Sequence, residues 1–365
     1  MAVGIQLSRV RVELLSAHRS ANSSQQWRDS ILIAVLDADG SVGHSECPTL
    51  SGGGYVTESS DAAWTALTGE LAAACLADRM PAGYAAPAAS AALADALLDL
   101  RLGREGISLV AHLAASAGTT PNALTDWTAV LAAPDESPGW LAEQAAAAVG
   151  AGASMVKLKV SGPDRIAASV QAVRSAVGVP VAIDANGSLD VAELGAVDSL
   201  ELAYVEQPLA PGTPWGEMAV AAGSIGTPVA LDESLVSLDA VADAIGAGAM
   251  RVASIKPARI GGVAAAGAAV SLCAARGVDC FVGGMFELGI GRAAALAVAA
   301  LPGCTLPTDL GPSNRYVAAE VCEPLETSAA GRMIVPDGAG IGRTPDESFM
   351  SAHLVDRVTV GRATQ

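Results

Sequence analysis

Residues 154–160 read SMVKLKV, 180–184 read PVAID, 202–206 read LAYVE, 228–232 read PVALD and 251–256 read RVASIK. Each is a short apolar run that closes on or next to a charged residue, and alanine-rich sequence separates it from the next. Working outward adds WTAVLA (127–132) before them, and DCFVG (279–283) and TLPTD (305–309) after them. These eight candidate strands are mostly about 20 to 27 residues apart, the length of one strand plus one helix, which is the rhythm of a parallel barrel. Stretches such as PGWLAEQAAAAVGAG between them suit helices that exit at glycine. The rival arrangement is an open doubly wound sheet. No Gly-x-Gly-x-x-Gly follows a first strand, and eight regular units favour closure.

Barrel enzymes place their chemistry at the C-terminal ends of the strands. Read in order, those ends carry Lys157 and Lys159, then Asp184, Glu206, Asp232 and Lys256. Three carboxylates converging in one mouth would repel each other without a cation, and a hard divalent ion takes such oxygens. Spacings of 22 and 26 residues set one acid on each successive strand. Asp232 and Glu233 are adjacent, so either could be the third ligand; Asp232 is the choice here, with Glu233 as its support. Lys157 and Lys159 are two apart and share one face of a strand. As buried like charges beside a cation, their pKa values should fall, making one of them usable as a base. Removing a proton next to a metal-bound carboxylate would give an enediolate, whose charge the cation stabilises.

Composition sharpens that reading. The chain has 365 residues, 18 arginines and only three lysines, all three named above. Guanidinium stays charged, whereas a lysine amine can be tuned to release its proton. Alone, an aspartate at a strand end is more often a helix cap and a Lys-x-Lys a solvated face. In barrel register, with no lysine elsewhere, the catalytic reading prevails. The six cysteines are scattered without a C-x-x-C pair, and the four histidines lie far apart, which argues against a zinc site or disulfide framework. A net charge of −17 argues against nucleic acid. No apolar run is long enough to span a membrane, and the N-terminus lacks the features of a signal peptide, so a cytoplasmic protein is expected.

Residues 1–120 form a different unit. RVRVELL and DSILIAVLDADGSVGHSEC read as strands with a turn at Ala38–Gly40, followed by a Ser/Gly-rich loop from Leu50 to Tyr55 and helices over 60–77 and 86–102. Residues 121–313 hold the barrel, and 314–365 return to the N-terminal unit.

The segments KLK, DANG, VEQP, LDES, IKPARIGG and GGMFELGIGRAAALAVAALPGCTLPTD, with SECPTL, the loop carrying Tyr55 and VPDGAGIG, resemble the enolase superfamily in its muconate-lactonising subgroup. Within it, IKPARIGG and GGMFELGIGRAAALAVAALPGCTLPTD look most like o-succinylbenzoate synthases, including those that also racemise N-acylamino acids. The resemblance implies an α/β fold, a (β/α)7β TIM-like barrel under an α+β capping domain. It implies Mg²⁺, or Mn²⁺ in its place, on Asp184, Glu206 and Asp232. Lys159 is then the base and Lys256 the opposed group, Lys157 tunes Lys159, and Asn186 and Glu233 support the ligands. Tyr55, Gly283, Gly284 and Met285 are expected to meet the substrate. The implied reaction is Mg-dependent syn-dehydration of 2-succinyl-6-hydroxy-2,4-cyclohexadiene-1-carboxylate in menaquinone biosynthesis; racemisation of N-succinyl- or N-acylamino acids is the alternative, and cycloisomerisation is disfavoured by the GGM segment. The partner expected is a small-molecule carboxylate, with the chain as a homo-oligomer.

Overall fold

The computed structural model describes residues 2–20, 23–50, 58–77, 87–131, 136–160 and 165–361. The N-terminal unit is built on β1 (Ala2–Ser20), β2 (Ser23–Asp37) and β3 (Val42–Cys47). The turn expected at Ala38–Gly40 joins β2 to β3, with Gly40 at φ +86° and Asp37 N–H donating to Ser41 O at 2.9 Å. After β4 (Leu124–Thr125) come seven parallel strands: β5 (Thr128–Leu131), β6 (Met155–Lys159), β7 (Val181–Asp184), β8 (Val205–Glu206), β9 (Val229–Leu231), β10 (Val252–Ile255) and β11 (Asp279–Val282). They pair in sequence order, β5 through β11. The chain ends with β12 (Met333–Ile334), which pairs with β4, and β13 (Leu354–Gly361), which lies antiparallel on β1. That pairing completes a cap sheet in the order β13-β1-β2-β3.

The eighth run, TLPTD, is not a regular strand, because Pro307 has no N–H to give a ladder. It nevertheless fills the gap between β11 and β5. Leu306 N–H donates to Cys280 O at 3.2 Å and Asp309 N–H to Val282 O at 3.0 Å, on one side. On the other, Thr128 N–H donates to Thr308 O at 2.8 Å and Thr308 N–H to Asp126 O at 3.0 Å. The ring is closed by an extended segment.

Strand alternation builds the site. Met155, Ala182, Tyr204, Ala230, Val252 and Phe281 form one buried apolar cluster, the floor inside the barrel, where the Tyr204 and Phe281 rings stack at 5.5 Å. Their neighbours Val156, Val181, Val205, Val229 and Ala253 point the other way, into the core shared with the helices. Two residues above the floor along each strand come Lys157, Asp184, Glu206, Asp232, Ser254 and Gly283, so the period of two carries these positions to the inner face at the mouth. No helix among the described residues is long and apolar enough to cross a membrane.

In the cap, the helix Pro87–Glu105 packs Leu93, Ala96 and Leu100 against Ile5, Ile33 and Val35 of the sheet. Gly43 is where helix and β3 touch: a Cβ there would stand 2.2 Å from Ala96 O and 2.5 Å from Leu100 N. The same helix reaches the barrel through Asp95, whose carboxylate accepts from Val263 N–H at 3.2 Å. Burial pushes Asp95 up to about 7, against that hydrogen bond.

Two outcomes follow. Gly43→Ala should lower stability by about 1–3 kcal/mol through overpacking against backbone, read as a shift in the denaturant midpoint. For Asp95 the folded pKa lies above the unfolded one, so its contribution is present below about pH 4 and is lost as pH rises toward 7. Wild type should therefore lose stability relative to Asp95→Asn across that window, by up to ~1.4 kcal/mol per pH unit, as measured by denaturant titration at each pH.

Candidate active site

The charged residues singled out in the sequence meet at the mouth of the barrel. Lys159, Asp184 and Glu206 are the last residues of β6, β7 and β8, held side by side by the register Lys159↔Asp184 and Asp184↔Glu206. Asp232 and Lys256 each follow their strand by one residue. Lys157, Lys159, Asp184, Glu206, Asp232 and Lys256 are all at most 7% exposed.

Asp184, Glu206 and Asp232 are each paired with a cation. Lys157 Nζ lies 2.6 Å from Glu206 Oε2 and 2.7 Å from Asp309 Oδ2, above the Phe281 ring at 4.8 Å. Lys159 Nζ donates to Asp184 Oδ2 at 2.9 Å and to Asn186 Oδ1 at 3.1 Å. Lys256 Nζ donates to Asp232 Oδ2 at 2.7 Å, and Arg259 holds the other oxygen of Asp232. Asn186 Nδ2 bridges Asp184 Oδ2 (3.1 Å) and Glu233 Oε1 (2.8 Å), which ties Asn186 and Glu233 to the acid on β7.

With no cation at the mouth, the carboxylates set the lysine pKa values. Burial does lower Lys157, but Asp309 and Glu206 outweigh it and raise the amine well above its ordinary value. Lys159 is likewise raised, burial being overcome by Asp184. Burial raises Glu206 to about 8 despite Lys157, with repulsion from Asp184, Asp232 and Asp309 adding to it. Glu233 rises to about 7 through burial and the charges of Asp232 and Asp184. Asp232 is also buried, yet Arg259 and Lys256 hold it far below the carboxylate range.

Does this set suit a hard divalent cation? The donors are all carboxylate oxygens, the chemistry magnesium prefers. Five carboxylates (Asp184, Glu206, Asp232, Glu233, Asp309) face four basic groups (Lys157, Lys159, Lys256, Arg259), which leaves a formal excess of negative charge. Glu233 Oε2 and Asp309 Oδ1 are buried without a hydrogen-bond partner. As the side chains stand, no three acids, histidines or cysteines among the described residues are grouped to hold a metal. A divalent ion fits the donors and the charge, and would compete for oxygens that lysines and Arg259 now hold.

Gly283 follows β11 beside Lys256, with its N–H on Ile255 O at 3.0 Å. A Cβ at Gly283 would lie 2.7 Å from both Lys256 Cε and Ser254 Oγ, so the lysine's stem occupies a side chain's space. Gly284 is half-buried, and Met285 is buried with its N–H on Glu287 Oε2 at 3.0 Å. Val130, half-buried, is in register with Lys157 and gives the first strand an apolar edge. Tyr55 lies outside the described residues.

Sequence reading missed three groups. Asp309 was within a quoted segment, and its place at the end of the eighth run was the available signal. Arg259 stands three residues after Lys256 on the turn Pro257–Ile260, a spacing that returns it to the same side. Gln207 takes a left-handed φ of +38°. Its Oε1 accepts from Asp232 N–H (3.1 Å) and Ser234 N–H (3.2 Å), locking the loop that carries the third acid. Gly283→Ala should leave the fold intact but cut turnover by about 10²-fold, the cost of roughly 1 Å of misplacement; unchanged steady-state kinetics would contradict the contact with Lys256.

Comparison with known proteins places this geometry. The family profile described as enolase C-terminal domain-like matches residues 140–349. An N-succinylamino acid racemase of Amycolatopsis is 33% identical, covering 98% of this chain and 99% of the relative. An o-succinylbenzoate synthase of Geobacillus stearothermophilus is 30% identical, covering 100% and 97%. The structure of an N-succinyl Arg/Lys racemase from Bacillus cereus superposes with a TM-score of 0.87 at 20% identity, covering 99% of this chain and 100% of that one, a likeness of fold.

Proposed function

Because the chain belongs to the enolase superfamily, we propose that this enzyme takes the α-proton from a small carboxylate with Lys159, and that its reaction is the dehydration yielding o-succinylbenzoate. The observation that carries the reading is the placement of two amines across the ring. Lys159 ends β6 and Lys256 follows β10, four strands away in a ring that the 305–309 segment closes as its eighth member.

Magnesium bound by Asp184, Glu206 and Asp232 would supply positive charge to the substrate's carboxylate as the α-proton leaves. Lys159 acts as base once the charge of Asp184, which keeps its amine protonated, is engaged elsewhere. The C–H electrons move toward the carboxylate. They return to expel the ring hydroxyl, which takes the proton from Lys159 and departs as water, leaving an aromatic ring. Lys256, on the other face, lends positive charge to the same carboxylate. Asn186, bonded to both Lys159 and Asp184, fixes the base relative to the acid.

A second reading uses both amines for proton transfer: racemisation of N-succinylamino acids, with Lys159 and Lys256 as base and acid. The racemase relative at 33% identity and the opposed lysines support it. Dehydration needs one proton-transfer amine and racemisation needs two.

The test is a Mg²⁺-dependent assay of ring aromatisation by absorbance, beside exchange of the α-proton of N-succinylamino acids with D₂O. Aromatisation that survives Lys256→Arg and vanishes in Lys159→Ala is the expected outcome. Exchange without aromatisation would replace the first reading by the second, and neither activity would overturn both.

A further inference from the structure

The segment after β11 is gripped from the cap. Arg28, on β2, is 1% exposed. Its Nη1 donates to two cap carbonyls, Asp29 O and Thr49 O (2.8 Å for the latter). So anchored, its Nε reaches across to the barrel and donates to Phe286 O at 2.7 Å. Glu46, on β3, takes the next groups along: its carboxylate accepts from Leu288 N–H at 2.9 Å and Gly291 N–H at 3.0 Å, and from Ser30 Oγ–H at 2.6 Å. Two cap side chains thus hold three backbone groups of one barrel segment.

That segment is under constraint. Phe286 has φ +56°, a left-handed conformation that a bulky residue seldom adopts without surroundings that impose it. The Phe286 ring stands edge-on to Tyr316 at 5.8 Å, and Glu287 turns back to bond Met285 N–H. Three residues upstream of the strained carbonyl lies Gly283, whose backbone packs directly on the Lys256 stem. A shift in Phe286 has only this short turn to absorb it before Lys256 is reached. On the opposite face, Lys159 bonds to Asp184 and Asn186, both on the barrel.

We propose that Arg28 is a positioning residue which, through the Phe286 carbonyl, sets Lys256 and not Lys159, so that cap docking governs one face of the substrate. This rests on the proposed two-amine site. It also makes a claim that does not need the substrate: loss of the Arg28 contact should change the surroundings of one lysine out of three.

Both consequences can be read with Arg28→Met, Arg28→Lys and Phe286→Gly, the last two guarding against a variant that fails to fold. First, because the chain has only three lysines, trace acylation and mass spectrometry report each amine separately. In Arg28→Met and Phe286→Gly, Lys256 labelling should change severalfold while Lys159 labelling holds, and Arg28→Lys should restore part of the difference. Second, α-proton exchange is followed for each enantiomer of an N-succinylamino acid, with Lys256→Ala and Lys159→Ala assigning which lysine serves which. Exchange on the Lys256 face should fall about tenfold or more and on the Lys159 face by less than about twofold. Equal changes at both lysines, or none, would overturn the proposal. Absence of exchange in wild type would count against the racemase reading alone, since the labelling ratio still decides this inference.

Discussion

Everything at the barrel mouth depends on keeping ionised groups dry. Removing a carboxylate or an ammonium from water costs several kcal/mol even after relaxation, and pairing recovers that only when each charge finds a partner. The fold meets the requirement by alternation. Apolar residues line the floor, the positions two further along bring in Lys157 and the acids Asp184, Glu206 and Asp232, and those four further along on β6 and β10 add Lys159 and Lys256. The pairs Lys157–Glu206, Lys159–Asp184 and Lys256–Asp232 are all buried, yet the count of charges does not balance. An arrangement shaped for stability alone would have placed hydrocarbon here. The formal surplus of one carboxylate, met without a cation by burial that holds Glu206 up at about 8, and the bare oxygens of Glu233 and Asp309 support the cation site proposed above.

How much of this was legible beforehand varies with the physics involved. The strand-plus-helix rhythm and the charged strand ends are local, periodic signals, and the barrel and its arc of acids and lysines follow from them. The scarcity of lysine drew attention to three positions for a chemical reason, since arginine does not release its proton near neutral pH, and all three stand buried at the mouth. Legibility ends where geometry is non-local. TLPTD reads as a strand but serves as an irregular seam. Arg28 looks like any strand arginine until the fold brings it to Phe286, 258 positions away. The raised lysine pKa values come from carboxylates within 3 Å, and sequence order says nothing about which opposite charge lies that near.

Two of the contacts between cap and barrel share one grammar. Asp95 accepts from the start of the helix Val263–Arg276, and Glu46 from the start of the helix Gly289–Ala299. In each case a cap carboxylate satisfies backbone N–H groups that a helix leaves open at its N-terminus. The cap is therefore fastened to the barrel's own secondary structure, close to the loops that carry Lys256 and Gly283, and its position bears on where those groups stand.

The pairing of β1 with β13 has a consequence for how the chain is made. Gly4 is partnered by Gly361, so an edge of the cap sheet stays open until residues 354–361 have been made. At about 5–20 residues per second, that is roughly 20–70 s of translation. During that interval Ile5, Leu7 and Val10 sit beside a row of unsatisfied backbone groups, the kind of surface that recruits strands from other chains. Nascent copies of this protein should therefore be most prone to mispairing on the ribosome, and the hazard ends only when β13 arrives.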